Sequence, residues 1–477
     1  MKGQNRPNII FFLSDQHNTV DLADTPNINA LKAEGMSFTR TYCSSPLCVP
    51  SRAGLLTGKL PAGTGVWDNV QCLSSDERTM AHSLSENGYQ TILCGRMHFN
   101  YQDQTHGFDE HLVGEITPTF PRPQRQASVY GPLKGSPDQS YTSIRLSGAG
   151  QSAVHLYDSE VADTACDVIR HAKDKGKPLF LLVGFYGPHC PFVAKKELYD
   201  KYFERFKDIK AFRDMESLHP EIRRFIALRG IENVTDDELR RVTAAYYANV
   251  EFIDNLIGQV LETAKSELDM ENTVVIYSSD HGDSLGSHGL FWKSNFYKES
   301  VNVPLVFSWK NHINHDIVDA PVSLLDLAPT ITELTGSESL ENIYGKSLCP
   351  VLNGSKADKT RDIFSLLSDL KGDNPSGMIV RYPFKLIKFA GCDLPILFNI
   401  EDDPEENRNL ASEPGYSGIT ADLLDALDKV WNEDDALSLL ERQKKEASER
   451  KRWVLEAKPE IVGEWQAPPE SNYIIQD

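Results

Sequence analysis

No stretch of this 477-residue chain approaches the ~20 consecutive apolar residues of a membrane span, so a bilayer-crossing helix is not expected. Positive charge is in deficit, with Lys+Arg 49 against Asp+Glu 69 and a net charge of −20. That balance argues against nucleic acid and anionic membrane surfaces as partners, and an anionic substrate would need cationic groups focused locally. The eight cysteines, at positions 43, 48, 72, 94, 166, 190, 349 and 392, include no C-x-x-C pair, so neither a zinc cluster nor a disulfide framework is indicated. There is no internal repeat and no low-complexity tract. Met1 to Pro7 lacks an apolar region ahead of a small-residue cleavage site. The expectation is a cytoplasmic protein as written, or a periplasmic one if a signal peptide has been removed.

What is present is a chain with 40% apolar residues, ample for a packed core. Asn8 to Leu13 is a continuous apolar run, as expected of a parallel strand buried on both faces. Similar runs recur at Tyr89–Leu93, Pro178–Val183 and Thr273–Ser278, separated by helical patterns such as Asp158–Ala172 and Asp236–Lys265. The alternation predicts an α/β fold, a doubly wound and mostly parallel sheet flanked by helices. Near residue 360 the character changes. Short β-like segments at Gly377–Tyr382, Phe384–Phe389 and Leu397–Ile400 precede helices over Ala421–Trp431 and Ala436–Leu455. Residues 1–360 are therefore expected to form the main domain, and 361–477 a smaller α+β subdomain with an antiparallel sheet.

In open α/β sheets ligands bind beyond the carboxyl ends of the strands. Four strand ends here carry polar clusters: Asp15-Gln16, Arg96-Met97-His98, Pro188-His189 and Asp280-His281-Gly282-Asp283, with Lys293 just beyond. His288 reads as a loop histidine. A fifth stretch runs Cys48-Val49-Pro50-Ser51-Arg52-Ala53-Gly54-Leu55-Leu56-Thr57-Gly58, behind Pro46 and closed by Gly58. Proline ahead of a helical turn and glycine after it put Cys48 at a helix N-terminus, where a thiolate or a bound anion is favoured.

This stretch, with the four clusters, resembles the type I, formylglycine-dependent sulfatases of the alkaline-phosphatase-like superfamily. The nearest-looking branches are choline sulfatases and phosphonate monoester hydrolases, which share an Asp-Gln pair like Asp15-Gln16 and a loop like Trp67-Asp68-Asn69. The resemblance implies that Cys48 becomes formylglycine through a maturation enzyme. It also implies that Asp15, Asp280, His281 and residue 48 hold a divalent cation, with Gln16 as an auxiliary ligand. Arg52 would orient the formylglycine, Arg96, Lys293 and His189 would grip the sulfate and leaving oxygen, Asn69 would contact substrate, and His98 would be the base. The resemblance implies calcium as the metal, while two carboxylates, an amide and an imidazole, fewer anionic oxygens than many sulfatases use, leave the site less committed to calcium and more open to manganese.

The implied chemistry is sound. A hydrated aldehyde attacks sulfur with one hydroxyl, and deprotonation of the other expels sulfate, whereas an ordinary alcohol would only form another stable sulfate ester. The expected substrate is a small anion, a sulfate monoester of a sugar. The alternatives are a phosphonate monoester or phosphodiester, choline sulfate, or a non-catalytic sulfated-ligand binder. Residues 114–155, rich in Pro, Gly, Ser and Gln, read as long surface loops. Between Ile116 and His155 the only aromatics are Phe120, Tyr130 and Tyr141, too few for a choline cage. Arg122, Gln124, Arg125, Gln126, Lys134, Ser143 and Arg145 suit sugar hydroxyls and carboxylates instead. A homo-oligomer stays open.

Overall fold

The computed structural model describes residues 6–20, 22–120, 130–172, 176–368 and 375–475. In chain order its strands are β1 (Asn8–Asp15), β2 (Met36–Tyr42), β3 (Gln90–Gly95), β4 (Glu110–Leu112), β5 (Gly148–Gln151), β6 (Leu179–Pro188), β7 (Val193–Ala194) and β8 (Thr273–Ser279). They continue as β9 (Asn302–Ser308), β10 (Asp316–Val318), β11 (Val322–Ser323), β12 (Ile363–Leu367), β13 (Ser376–Arg381), β14 (Phe384–Phe389), β15 (Ile396–Asn399) and β16 (Tyr473–Ile474).

The main sheet runs β10-β2-β9-β8-β1-β6-β3-β4, with β11 beside β2. β1 is central and pairs in parallel with β6 and β8, and β9 is antiparallel to both β2 and β8. Side chains alternate across the pleat, so Ile9, Phe11 and Leu13 enter one apolar cluster and Ile10 and Phe12 the other. Both faces of β1 are covered, which is why its sequence is apolar without alternation. The helices Ala153–His171 and Asp236–Glu267 cover the second face through Val161, Ile253 and Ile257, while Leu55, Leu84 and Ile331 from three other helices cover the first. The fold is the mixed, mostly parallel, doubly wound α/β architecture expected, and β12-β13-β14-β15 form the small antiparallel sheet. No helix among the described residues is long and apolar enough to cross a membrane.

Three local expectations need correction. Ile363–Leu367 adds a fourth strand to the small sheet, its five residues all buried and too short to stand out as a run. The helix expected from Asp158 begins at Ala153, where His155 Nδ1 accepts from the Ser152 amide at 3.3 Å. Residues 114–155, where described, are not surface loops. They contain the helix Tyr141–Arg145 and β5, which pairs with β7 and β16, and Ile116, Phe120, Leu133 and Ile144 are buried. Single apolar residues scattered among polar ones carry no periodic signal, yet Ile116, Leu133 and Ile144 join the apolar clusters on the two faces of the sheet. Arg122, Gln124, Arg125 and Gln126 lie outside the described residues.

The two sheets meet at a buried ionic group. Lys385 Nζ donates to Glu406 Oε1 at 2.6 Å with both side chains almost wholly buried, and Glu299 lies beside them with Oε2 unpartnered. Burial, reinforced by Glu406 and opposed by Lys298 and Lys385, pushes the Glu299 carboxyl up from 4.5 to about 7. The native state thus keeps a proton that the unfolded chain gives up. This stability is complete below pH 4.5, declines as pH rises to about 7, and is lost above it, a span of up to about 3 kcal/mol. Scanning calorimetry is expected to show Glu299→Gln gaining thermal midpoint over wild type at pH 8 but little at pH 4. An equal gain at both would mean that Glu299 does not titrate in this window.

Candidate active site

The C-terminal ends of four main-sheet strands converge with one helix N-terminus. Asp15 ends β1 and Gln16 follows it. Asp280 and His281 follow β8, Arg96 and His98 follow β3, and His189 follows β6. Gln16 and His98 adopt left-handed φ values of 71° and 59° at these turns, a costly conformation for residues with a Cβ. The chain at Arg96 passes so close to β6 that a Cβ on Gly184 would sit 1.9 Å from the Arg96 carbonyl oxygen. Only glycine allows β3 and β6 to approach here.

The helix Cys48–Thr57 is buried along its whole length, and Gly58 closes it in the left-handed region. Arg52, about one turn on from Cys48, has each of its three side-chain nitrogens engaged. Nε donates to Asp280 Oδ2 at 2.7 Å, Nη2 to Asp15 Oδ2 at 3.1 Å and Nη1 to the Arg96 carbonyl at 2.9 Å. Arg96 Nε donates to the same Asp15 oxygen at 2.6 Å. Burial and nearby Cys48 push the Asp15 carboxyl up, but Arg96, His189 and Arg52 more than reverse this and hold it below the ordinary carboxylate range. The two carboxylates are thus aimed by two guanidiniums, leaving Asp15 Oδ1 toward Cys48 and His281, and Asp280 Oδ1, which also accepts from the Gln16 and His281 amides, toward His281 Nε2.

Cys48 Sγ lies 3.2 Å from His281 Nε2 and 3.3 Å from Lys293 Nζ. Burial pushes its thiol up, but Lys293 and His281 bring it well below the ordinary thiol range. His281 Nδ1 donates to the Gly282 carbonyl at 3.1 Å, which turns Nε2 into the site. His189 is set the same way. Its Nδ1 donates to the Cys190 carbonyl at 2.6 Å, and its Nε2 accepts from Lys293 Nζ at 2.6 Å. Lys293 also donates to Gln16 Oε1 at 2.7 Å.

Ligand atoms of Asp15, Cys48, Asp280 and His281 all lie within 4.8 Å of one another. Two carboxylates, one imidazole lone pair and one soft or modified side chain, all buried, fit a divalent cation. Gln16 stands beside this group with its carbonyl oxygen on Lys293 and its amide on Asp283 Oδ2 at 2.5 Å. Asn69 instead turns its Oδ1 to the Val49 amide at 2.9 Å, satisfying a free N–H at the start of the cysteine helix. Arg96 is engaged beyond Asp15 as well, donating to Thr117 Oγ1 at 3.1 Å and to His98 Nδ1 at 2.8 Å. His288 lies outside the cluster, in a short turn with its ring against Tyr297.

Sequence reasoning missed three supporting acids. Glu115 Oε1 accepts from the Met97 and Phe99 amides at 2.9 and 3.1 Å, clamping the backbone on both sides of His98. Asp158 accepts from the Tyr186 and Gly187 amides at 2.7 and 2.9 Å, fixing the turn that carries His189. Asp283, through Oδ1, accepts from the Leu285 and Trp292 amides, both at 2.9 Å, and so joins Gln16 to the segment carrying Lys293. Only Asp283 had a signal, its place in the fourth polar cluster.

The sheet topology and this buried cluster define an alkaline-phosphatase-like α/β protein. A family model described as Sulfatase matches residues 7–337, and one described as N-sulphoglucosamine sulphohydrolase, C-terminal, matches residues 286–433. The chain belongs to the sulfatase family. It is 32% identical over 439 residues to a choline-sulfatase of Rhizobium meliloti (strain 1021), covering 86% of this chain and 83% of that protein. Among solved structures, the phosphonate monoester hydrolase of Agrobacterium radiobacter aligns with a TM-score of 0.71 at 22% identity, over 92% of this chain and 96% of that one. A structure in complex with its substrate D-glucosamine-2-N,6-O-disulfate aligns with a TM-score of 0.68 at 22% identity, over 93% and 98%.

Proposed function

We propose that this sulfatase hydrolyses a small sulfate monoester of a sugar at residue 48, matured from cysteine to formylglycine by a separate enzyme. The observation that carries the reading is the placement of Cys48 at a buried helix N-terminus, 3.2 Å from His281 Nε2 and 3.3 Å from Lys293 Nζ. As formylglycine hydrate, residue 48 supplies the attacking hydroxyl and a leaving path through the aldehyde. Asp15, Asp280, His281 and residue 48 would hold one divalent cation, calcium first and manganese second, which would supply charge stabilisation for the sulfate's oxygens. Lys293 binds the transferred group as the cation nearest the nucleophile. His189, with Nδ1–H committed to Cys190, handles a proton at Nε2 beside the leaving oxygen. Arg52 keeps the two carboxylates apart and aimed.

Choline sulfate is the second reading, because a relative at 32% identity is named a choline-sulfatase. The aromatics between Ile116 and His155 do not favour it. Phe120 packs on Tyr101 and Trp453, Tyr130 and Tyr186 share a hydroxyl contact at 3.4 Å, and Tyr141 bonds Glu238. Ser143 is likewise engaged, accepting from Trp292 Nε1 at 3.0 Å, so it is withdrawn from the sugar contacts expected of this segment. Steady-state kinetics on choline sulfate, an aryl sulfate, a phosphonate monoester and sulfated mono- and disaccharides test the proposal. The expected ranking by kcat/KM places a sulfated sugar first. Choline sulfate in first place would establish the second reading, and the phosphonate in first place would replace sulfuryl by phosphoryl transfer.

A further inference from the structure

Residues 137–143 touch the chain beside both His189 and Lys293. The Pro137 carbonyl accepts from Cys190 Sγ at 3.3 Å, and Cys190 follows His189. Gln139 Nε2 donates to Ser294 Oγ at 3.3 Å, and Ser143 Oγ accepts from Trp292 Nε1 at 3.0 Å, so the residues before and after Lys293 are both held by this segment. The Ser294 amide in turn donates to the Pro46 carbonyl at 3.0 Å, two residues ahead of Cys48. Gln139 is thus tied to the turn that carries the cation nearest the nucleophile. One of its atoms is left over. The residue is 8% exposed, Nε2 is fixed by Ser294, and Oε1 is buried with no hydrogen-bond partner among the described residues. Most buried side-chain oxygens are paired, since leaving one unpaired costs the desolvation of that atom. An amide oxygen only accepts, so the missing partner is a donor.

We propose that Gln139 is a specificity-determining residue whose Oε1 accepts a hydrogen bond from a hydroxyl of the leaving alcohol, close to the sulfated position. The inference rests on the sulfate-ester reading above and narrows it, because the alcohol must then carry a second hydroxyl near the one that bears the sulfate, as a sugar does. Choline sulfate ends in a trimethylammonium group and a simple aryl sulfate in ring C–H bonds. Neither offers a donor, so each leaves Oε1 buried and unpaired in the complex. A site built around a hydrogen bond rejects a ligand that lacks it more strongly than an apolar pocket rejects a missing methylene. Nothing in the sequence sets Gln139 apart from the other polar residues of 114–155, because its partner Ser294 lies 155 residues on.

Matched esters test this on the full-length protein. 2-Hydroxyethyl sulfate and propyl sulfate differ only in whether the chain ends in OH or CH3. Wild type is expected to favour the hydroxyl ester by about 10- to 10²-fold in kcat/KM. In Gln139→Met, which keeps the length of the side chain and loses the acceptor, the ratio is expected to fall to about one. Both esters are measured on one preparation, so the ratio does not depend on how much of it is folded or matured. Wild type without the preference, or Gln139→Met that keeps it, would overturn the proposal. A Gln139 that merely props the Lys293 turn gives the second result, since its loss slows both esters alike. Failure of the underlying reading looks different. If the matching methylphosphonates are turned over faster than the sulfates, sulfuryl transfer is replaced, while the hydroxyl ratio on the phosphonate pair still decides Gln139. Should no ester turn over, titration calorimetry of the two sulfates on wild type and Gln139→Met reads the same ratio in Kd.

Discussion

Cys48→Ala is expected to lower sulfate-ester turnover by about 10⁵-fold or more, the scale seen when a covalent nucleophile is removed. The substitution trims one buried sulfur from a helix that keeps its Asn69 cap, so the thermal midpoint is expected to move by only a few degrees. Loss of activity without loss of fold separates chemistry from stability. Cys72→Ala, at the exposed cysteine, is the control and is expected to leave kcat/KM unchanged. Peptide mass spectrometry of active wild-type protein is expected to find an aldehyde-reactive residue at position 48. Fully active protein with only unmodified cysteine there would refute the formylglycine reading.

Asp280→Ala is expected to remove both metal and activity, with kcat falling by at least ~10³-fold. Asp280 Oδ2 is a partner of Arg52 and its Oδ1 edge faces the cluster, so the change also leaves a buried guanidinium short of a partner. That costs about 3–5 kcal/mol and is expected to lower the thermal midpoint. Treating wild type with EDTA makes the complementary test, because it strips metal while Asp15 and Asp280 stay paired with Arg52 and Arg96. The chelated protein is expected to be inactive yet folded, and to recover on adding calcium or manganese. Activity that survived both the substitution and the chelator would mean that these carboxylates hold no catalytic metal.

The strand ends were legible because a strand buried on both faces has no alternation to blur its limits, and a sudden polar pair such as Asp15-Gln16 or Asp280-His281 marks its exit. The helix N-terminus at Cys48 was legible for a related reason, with Pro46 and Gly58 bracketing it. What stayed hidden was which polar group serves which. Nothing in the local sequence of Arg96 says that its fork is already engaged by Asp15, Thr117 and His98, and nothing near Glu115 says that it holds Met97 and Phe99. These depend on tertiary approach, as does the burial of residues 114–155, whose composition resembles that of exposed loops. Asn69 shows the same limit, since a loop asparagine reads equally as a substrate contact or as a helix cap.

The burial of Cys48, at 1% exposure, has a further consequence for synthesis. Any macromolecular catalyst that alters its sulfur must reach a side chain that the finished protein encloses among Asp15, His281 and Lys293. It can do so only while the helix Cys48–Thr57 is still undocked from the sheet. If residue 48 is modified as proposed, the modified fraction of a preparation is expected to be set by a race between chain collapse and encounter with that catalyst, and adding more catalyst to folded protein is expected not to raise it.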